Sequence, residues 1–212
     1  ATGFTMAPQD AAEPLDGSSV SWMRALAERH DSAVCGSLSL REGDAFVNRF
    51  VFVHPDGRMD YYDKRHLFAM AGEDRVYRRG TERVVIHFRG WRIVPQICYD
   101  LRFPVWHRFA QGCDLMLFVA NWPAPRIDAW RTLLKARAIE NQCFVAGVNR
   151  VGRDQNDKRY CGASALYGPG GETLLQAGDV TTALTATVDP SVLTAHRERL
   201  PFYRDADAFE IT

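Results

Sequence analysis

Two kinds of hydrophobic pattern recur along the chain, and they predict its longest strands and helices. Residues 115–120 (LMLFVA) and 144–148 (FVAGV) are continuous apolar runs, which are typical of strands covered on both faces. Residues 18–30 and 128–142 instead repeat apolar positions at helical spacing, so we expect two amphipathic helices. A third, shorter helix is predicted over residues 103–110, shortly before Gly112.

Shorter apolar segments separated by turn residues predict further strands. Pro55-Asp56-Gly57 favours a hairpin turn, because proline presets φ and glycine accepts a positive φ. Residues 168–171 (GPGG) predict a second such turn, residues 63–80 a long loop, and residues 190–198 a short helix. The additional predicted strands are residues 33–40, 45–54, 58–62, 83–88, 92–98, 164–167, 172–176 and 182–188.

The order of these elements indicates the fold class. Strands alternate with helices in the middle of the chain, and hairpins lie on either side of that region. This order predicts an α/β fold with mixed sheets. With neither an internal repeat nor a low-complexity linker, we expect one domain over residues 1–212.

Composition excludes several classes of function. Lys and Arg together number 26, as do Asp and Glu, so no net charge favours nucleic acid or an anionic membrane. No stretch approaches the roughly 18 apolar residues that a membrane span requires. The five cysteines are widely spaced and form no C-x-x-C pair, which argues against disulfides and zinc and indicates a reducing, cytoplasmic setting.

The strongest chemical signal is Cys98, in residues 97–104 (ICYDLRFP). This thiol is predicted to end a buried strand, residues 92–98, and to stand at the turn into a helix. Backbone N–H groups at such a turn favour a thiolate and can hold a developing oxyanion. A buried, inert cysteine is the structural alternative.

A nucleophilic cysteine needs groups that move its proton and stabilise the charge it creates. Nothing in the sequence positions His54, His66 or His107 for this task, and packing or surface roles are expected for all three. Lys64 follows a predicted strand and enters the long loop. Its ammonium could stabilise an anionic tetrahedral intermediate, whereas the structural alternative is a solvated lysine in a charged segment.

Three sequence blocks together resemble the nitrilase superfamily of carbon–nitrogen hydrolases. They are residues 62–68 (YDKRHLF), residues 96–104 (QICYDLRFP), and NWP at 121–123 with LKARAIEN at 134–141. The resemblance extends from Thr2-Gly3-Phe4 to Leu200-Pro201. Within the superfamily the chain is most similar to the ω-amidase-like members, which hydrolyse the distal amide of 2-oxo acids such as 2-oxoglutaramate.

The resemblance implies a fold and a catalytic set. The fold is an αββα sandwich of mixed β-sheets, and the triad is Glu–Lys–Cys, in which Cys98 matches the nucleophile and Lys64 the lysine. Glu73 matches a second glutamate that orients the lysine or the substrate amide, with a solvated loop residue as the alternative. The N–H of Tyr99 would complete the oxyanion site.

The family pattern also includes a segment ahead of the Thr2-Gly3-Phe4 block. That segment carries the general-base glutamate together with the first strand, the first helix and the second strand. We therefore expect these elements to precede residue 1, so that residues 1–212 form an N-terminally incomplete carbon–nitrogen hydrolase domain.

Three further residues are candidates for substrate binding. Arg102, four residues after Cys98, could bind a substrate carboxylate bidentately, or it could pair with Asp100 or Glu73. Asn121 and Trp122 follow a predicted buried strand directly, where open α/β sheets bind ligands. Trp122 could equally be an ordinary core residue.

A pair of charges is predicted inside the apolar arc of the 128–142 helix. Arg137 and Glu140 lie three residues apart on that arc, and charges there are unfavourable unless they are paired. We expect either a buried ion pair, with each other or across an interface, or two side chains that extend to solvent.

The sequence therefore predicts an amidohydrolase that releases ammonia through a cysteine thioester, most similar to ω-amidases. The alternatives are hydrolysis of another amide, an N-carbamoyl compound or a nitrile, and a non-catalytic binding module of the same fold. The chemistry requires neither a metal nor an organic cofactor. The resemblance implies a homodimer or a larger homo-oligomer.

Overall fold

Residues 5–108 and 112–211 are described by the structure, a computed structural model, and they divide into two units. The first unit contains residues 5–84 and Pro95–Asp100, and the second contains Val85–Val94 and the described residues from Leu101 onward. The Thr2-Gly3-Phe4 block and the end of the predicted 103–110 helix lie outside the described residues. The single domain expected over residues 1–212 stays a prediction.

The first unit is built on an antiparallel sheet in the order β1-β2-β3. Its core lies between this sheet and the predicted amphipathic helix, where Val20, Met23 and Ala27 of the helix pack with apolar residues of β1 and β2. The helix and the hairpin at residues 54–58 confirm the sequence prediction. The elements are α1 (Pro8–Ala11), α2 (Ser18–Arg29), β1 (Val34–Glu42), β2 (Ala45–Val53) and β3 (Met59–Asp63).

The second unit is built on a mixed six-stranded sheet in the order β11-β10-β7-β6-β5-β4. Strands β6 and β7 are parallel, whereas β7–β10, β10–β11 and β4–β5 are antiparallel. The last residues of β5, 95–97, belong to the first unit. The strands are β4 (Ile86–Phe88), β5 (Trp91–Ile97), β6 (Leu115–Ala120), β7 (Phe144–Asn149), β8 (Val151–Arg153), β9 (Arg159–Cys161), β10 (Ala165–Tyr167) and β11 (Thr173–Gln176).

The long helix of the second unit packs closely against β7. A Cβ atom at Gly147 would lie 2.3 Å from Leu134 Cδ1 and 2.8 Å from Trp130 Cζ2, so the absence of a side chain at Gly147 allows this approach. The helices are α3 (Pro104–His107), α4 (Ile127–Asn141) and α5 (Pro190–Arg199). The apolar runs of β6 and β7 are strands as predicted, although Val148 is 59% exposed and that face is therefore not fully covered.

Two segments differ from their predicted structure. The strand predicted over residues 182–188 is wrong, because this stretch has no regular structure and is largely exposed. Alternating apolar residues favour a strand only where a neighbouring strand can pair with them. The hairpin of β8 and β9 was missed, because its Asp-, Asn- and Lys-rich turn has the composition of a loop.

The charge pair on α4 is confirmed. Arg137 Nη1 donates to Glu140 Oε1 at 3.0 Å, and Nη2 donates to the Leu101 carbonyl at 2.7 Å. The Arg137 side chain is buried, whereas Glu140 keeps partial contact with solvent. The second bond ties α4 to the segment that follows Cys98.

None of the five cysteines, which all lie within the described residues, forms a disulfide. Cys113 and Cys143 are buried, whereas Cys35 is exposed and Cys161 is half-buried. Burial, followed by the neighbouring Cys143, raises the pKa of Cys113 well above its usual value.

Within residues 5–108 and 112–211, no helix combines the length and apolar character needed to cross a bilayer.

Candidate active site

Cys98 lies at a sharp turn where β5 ends. Ile97 is the last residue of the strand, and a 3₁₀ helix runs from Cys98 to Arg102. The φ angle of Cys98 is +48°, in the left-handed region that non-glycine residues rarely adopt. The side chain is half-buried. The strand-end turn predicted for this thiol is confirmed, and the helical segment begins at Cys98 itself, ahead of the predicted residue 103.

Lys64 is buried rather than solvated. Its side chain is 2% exposed, and Nζ donates to Glu73 Oε2 at 2.6 Å. The backbone on either side is fixed, since the Lys64 N–H donates to the Asn48 carbonyl and the Lys64 carbonyl accepts from the Gly80 N–H, both at 2.9 Å. The alternative of a solvated lysine is therefore wrong.

Glu73 is fully buried and accepts three hydrogen bonds. Besides Lys64, the donors are the Phe68 N–H at 2.6 Å and Asn48 Nδ2 at 3.0 Å. Glu73 is the first residue of a short 3₁₀ helix, Glu73–Arg75. Gly72, which directly precedes this helix, has a φ of +79°. A buried carboxylate is stable only with such partners, so the alternative of a solvated loop residue is wrong.

Two contacts join the Cys98 turn to the loop that carries Lys64. The Asp100 carboxylate accepts from Tyr62 Oη at 2.9 Å and from His66 Nδ1 at 2.8 Å. Tyr62 lies two residues before Lys64, and His66 lies two residues after it. The rings of Phe68 and Tyr99 meet edge to face, with their centroids 4.9 Å apart. Cys98, Tyr99, Lys64 and Glu73, the residues predicted as catalytic, therefore belong to one connected group within the first unit.

The predicted substrate-binding residues belong to the second unit. The Arg102 guanidinium lies 4.9 Å from the ring centroid of Trp122, a distance at which cation and ring attract each other. Trp122 is buried, and its indole N–H donates to the Arg126 carbonyl at 2.7 Å. Asn121 directly follows β6 and is half-buried.

The sequence did not predict which residues hold this group in place. Asn48, Tyr62 and Asp100 hold Glu73 and the Cys98 turn, yet none was predicted to do so. His66 was expected to be a packing or surface residue, whereas its ring is bonded to Asp100. One usable signal was present: Asn48 and Arg49 interrupt an otherwise apolar strand, and polar residues at such positions usually have buried partners.

The other two histidines considered for proton transfer, His54 and His107, agree with the expected packing roles. His54 is buried, and its Nε2 lies 2.7 Å from Asp60 Oδ2 at the β2–β3 hairpin. His107 is buried beside Phe118, with ring centroids 5.3 Å apart.

Comparison with known proteins decides the family. The model of the carbon-nitrogen hydrolase family matches residues 2–198. The chain belongs to the carbon–nitrogen hydrolase family. This result confirms the resemblance found in residues 62–68 and 96–104.

Relatives of this carbon–nitrogen hydrolase include named amidases. The chain is 50% identical to omega-amidase YafV of Yersinia enterocolitica over 209 residues, which cover 98% of this chain and 81% of the relative. It is 34% identical to a 2-oxoglutaramate amidase of Bacillus subtilis (strain 168), covering 96% of this chain and 80% of that protein.

A solved structure has the same fold as this carbon–nitrogen hydrolase. XC1258 from Xanthomonas campestris, a CN-hydrolase superfamily protein with an arsenic adduct in its active site, matches with a TM-score of 0.96 and 45% identity. The match covers 99% of this chain and 82% of XC1258. The predicted α/β fold with mixed sheets is confirmed.

Proposed function

We propose that this carbon–nitrogen hydrolase is an ω-amidase-like amidohydrolase that cleaves the distal amide of 2-oxo acids such as 2-oxoglutaramate. The observation that carries the proposal is the buried Lys64–Glu73 pair, joined within one unit to a strand-end thiol at a positive φ. The named activities of the Yersinia and Bacillus relatives support the same reaction.

In the proposed reaction, Cys98 Sγ attacks the amide carbonyl carbon and forms a tetrahedral oxyanion. The Lys64 ammonium and the Tyr99 N–H donate to that oxyanion. A general base takes the thiol proton and returns it to the leaving nitrogen. Collapse of the intermediate breaks the C–N bond, releases ammonia and leaves a thioester, which water hydrolyses to the carboxylic acid.

Glu73 acts in this scheme through Lys64. Its carboxylate lies 2.6 Å from Nζ, and the Asn48 and Phe68 donors hold that carboxylate in place. The ammonium therefore keeps one position, so no side-chain rearrangement is needed when the oxyanion forms.

We also propose that Arg102 binds the substrate carboxylate, with Asn121 and Trp122 beside it. Arg102 ends the same 3₁₀ helix that Cys98 begins, and its guanidinium is oriented by the Trp122 ring. A guanidinium held in one orientation is suited to bidentate carboxylate binding.

The Arg102 proposal predicts a binding defect. Replacing Arg102 by methionine should raise KM for 2-oxoglutaramate by about 10- to 100-fold, because a hydrogen bond between charged groups contributes about 1.5–3 kcal/mol. An uncharged amide of similar length should be affected much less. Arg150→Met is the matched control, since the Arg150 guanidinium lies at the same 4.9 Å from a ring, that of Tyr160. An equal rise in KM for both amides would contradict the carboxylate role.

We further propose a cytoplasmic location and a homodimeric assembly. The five free thiols are suited to a reducing compartment. The homodimer rests on the family resemblance, and sedimentation of the purified full-length protein would test it.

Ammonia release tests the proposed function directly. The full-length protein should release ammonia from 2-oxoglutaramate with a kcat/KM about 100-fold or more above that for glutamine or a simple nitrile, because a site built for one set of polar groups discriminates strongly. Preference for a nitrile or an N-carbamoyl compound would reassign the substrate. A protein that releases ammonia from none of these compounds would contradict the proposal.

A further inference from the structure

We propose that Asp100 is a positioning residue that holds the Cys98 turn in register with Lys64. This inference rests on the proposed function for its kinetic part, and on the structure alone for its effect on the Cys98 thiol. Asp100 lies two residues beyond the nucleophile and is fully buried.

Four hydrogen bonds converge on the Asp100 carboxylate. Oδ1 accepts from the His66 N–H at 2.9 Å and from His66 Nδ1 at 2.8 Å. Oδ2 accepts from Tyr62 Oη at 2.9 Å and from the Ile97 N–H at 3.1 Å. Both carboxylate oxygens are required for these four bonds, because an asparagine side chain in the same place could accept through its single oxygen only.

The backbone of the turn is strained at Cys98. A cysteine at a φ of +48° is less stable by about 1–3 kcal/mol than in an ordinary conformation, and such a residue persists only where its surroundings fix it. The hydrogen bond from the Ile97 N–H to the Asp100 carboxylate spans Cys98, because Ile97 precedes the nucleophile and Asp100 follows it. Asp100 is therefore placed to stabilise the strained conformation.

The remaining donors to Asp100 come from the two flanks of Lys64. Tyr62 and His66 each lie two residues from Lys64, one before it and one after it. The same carboxylate thus fixes the thiol-bearing turn and both flanks of the lysine. Since a displacement of about 1 Å can lower a rate roughly 100-fold, this shared attachment point is expected to determine whether the amine and the thiol act on the same carbonyl group.

Asp100→Asn is the direct test, since it keeps the shape of the side chain and replaces two acceptor sites by donors. We expect kcat for 2-oxoglutaramate to fall about 100-fold with KM changed less than about threefold. The rate at which iodoacetamide alkylates Cys98, measured by peptide mapping, should fall as well. This second readout needs no amide substrate, so it tests the positioning role even if the substrate proposal fails.

Matched variants separate positioning from general loss of stability. Asp60→Asn is the control, because Asp60 also accepts a histidine ring N–H in the first unit but at the β2–β3 hairpin; it should leave kcat and alkylation unchanged. His66→Asn keeps an amide donor near the Nδ1 position and should retain most of the activity, whereas His66→Ala should lose it.

Three outcomes would overturn the proposal. The first is wild-type kcat and alkylation in Asp100→Asn. The second is an equal loss of both quantities in Asp60→Asn at equal thermal stability. The third is equal activity in His66→Asn and His66→Ala. An inactive wild-type protein whose Cys98 alkylation still depends on Asp100 would instead count against the proposed function alone.

Discussion

Replacing Cys98 by alanine is expected to abolish ammonia release, with a fall in kcat of roughly 10⁴-fold or more. The proposed reaction forms a covalent bond to Sγ, and no other group of the turn can replace that atom. The fold should remain stable, because a half-buried thiol contributes little packing. Ammonia release and thermal unfolding of the same preparation would measure both effects.

A glycine variant adds a check on the strained turn. Glycine ordinarily lowers stability by about 1 kcal/mol relative to alanine, but it adopts a positive φ without strain. Cys98→Gly should therefore be at least as stable as Cys98→Ala while being equally inactive. Cys161→Ala, at another half-buried free thiol, should retain full activity. Substantial turnover by Cys98→Ala would eliminate the cysteine mechanism.

Breaking the Lys64–Glu73 pair is expected to damage both stability and activity. Glu73→Gln leaves an ammonium that is 2% exposed without its counter-charge, and removal of one partner of a buried pair lowers stability by about 3–5 kcal/mol. Lys64→Met should have a similar effect and should also lower kcat by about 10²- to 10³-fold or more, because an oxyanion donor is lost.

The double variant distinguishes the two effects. Lys64→Met/Glu73→Gln removes both charges, so its loss of unfolding free energy should be clearly smaller than the sum of the single losses. Its activity should stay as low as that of Lys64→Met. Asp157→Asn, in the exposed pair with Arg153, is the control and should change stability by less than about 1 kcal/mol. Additive losses for Lys64 and Glu73 would mean that the two charges do not stabilise each other.

The features that local sequence determines were predicted well. Strand β6 was placed correctly because its six consecutive apolar residues favour a buried strand whatever surrounds them. Cys98 was placed at the end of the strand predicted over residues 92–98, and the observed strand ends one residue earlier, at Ile97. The segment 182–188 shows the limit of this reasoning, because its alternating pattern has no pairing strand among the described residues.

Features that depend on distant contacts were less accessible. Glu73 reached the candidate list only through the family resemblance, since the loop path that buries it beside Lys64 is set by Asn48, Phe68 and Gly72. The bonds from Tyr62 and His66 to Asp100 join residues more than 30 positions apart. No local pattern marks such pairs, and here the structure was needed.

The most direct test of the central claim is to detect the covalent intermediate. The full-length protein would be mixed with 2-oxoglutaramate, quenched in acid within milliseconds to seconds, and analysed by intact mass and peptide mapping. We predict an acyl group, equal to the substrate less ammonia, on the peptide that carries Cys98, and its absence from Cys98→Ala. Steady ammonia release with no adduct, or with the adduct on another residue, would contradict the account.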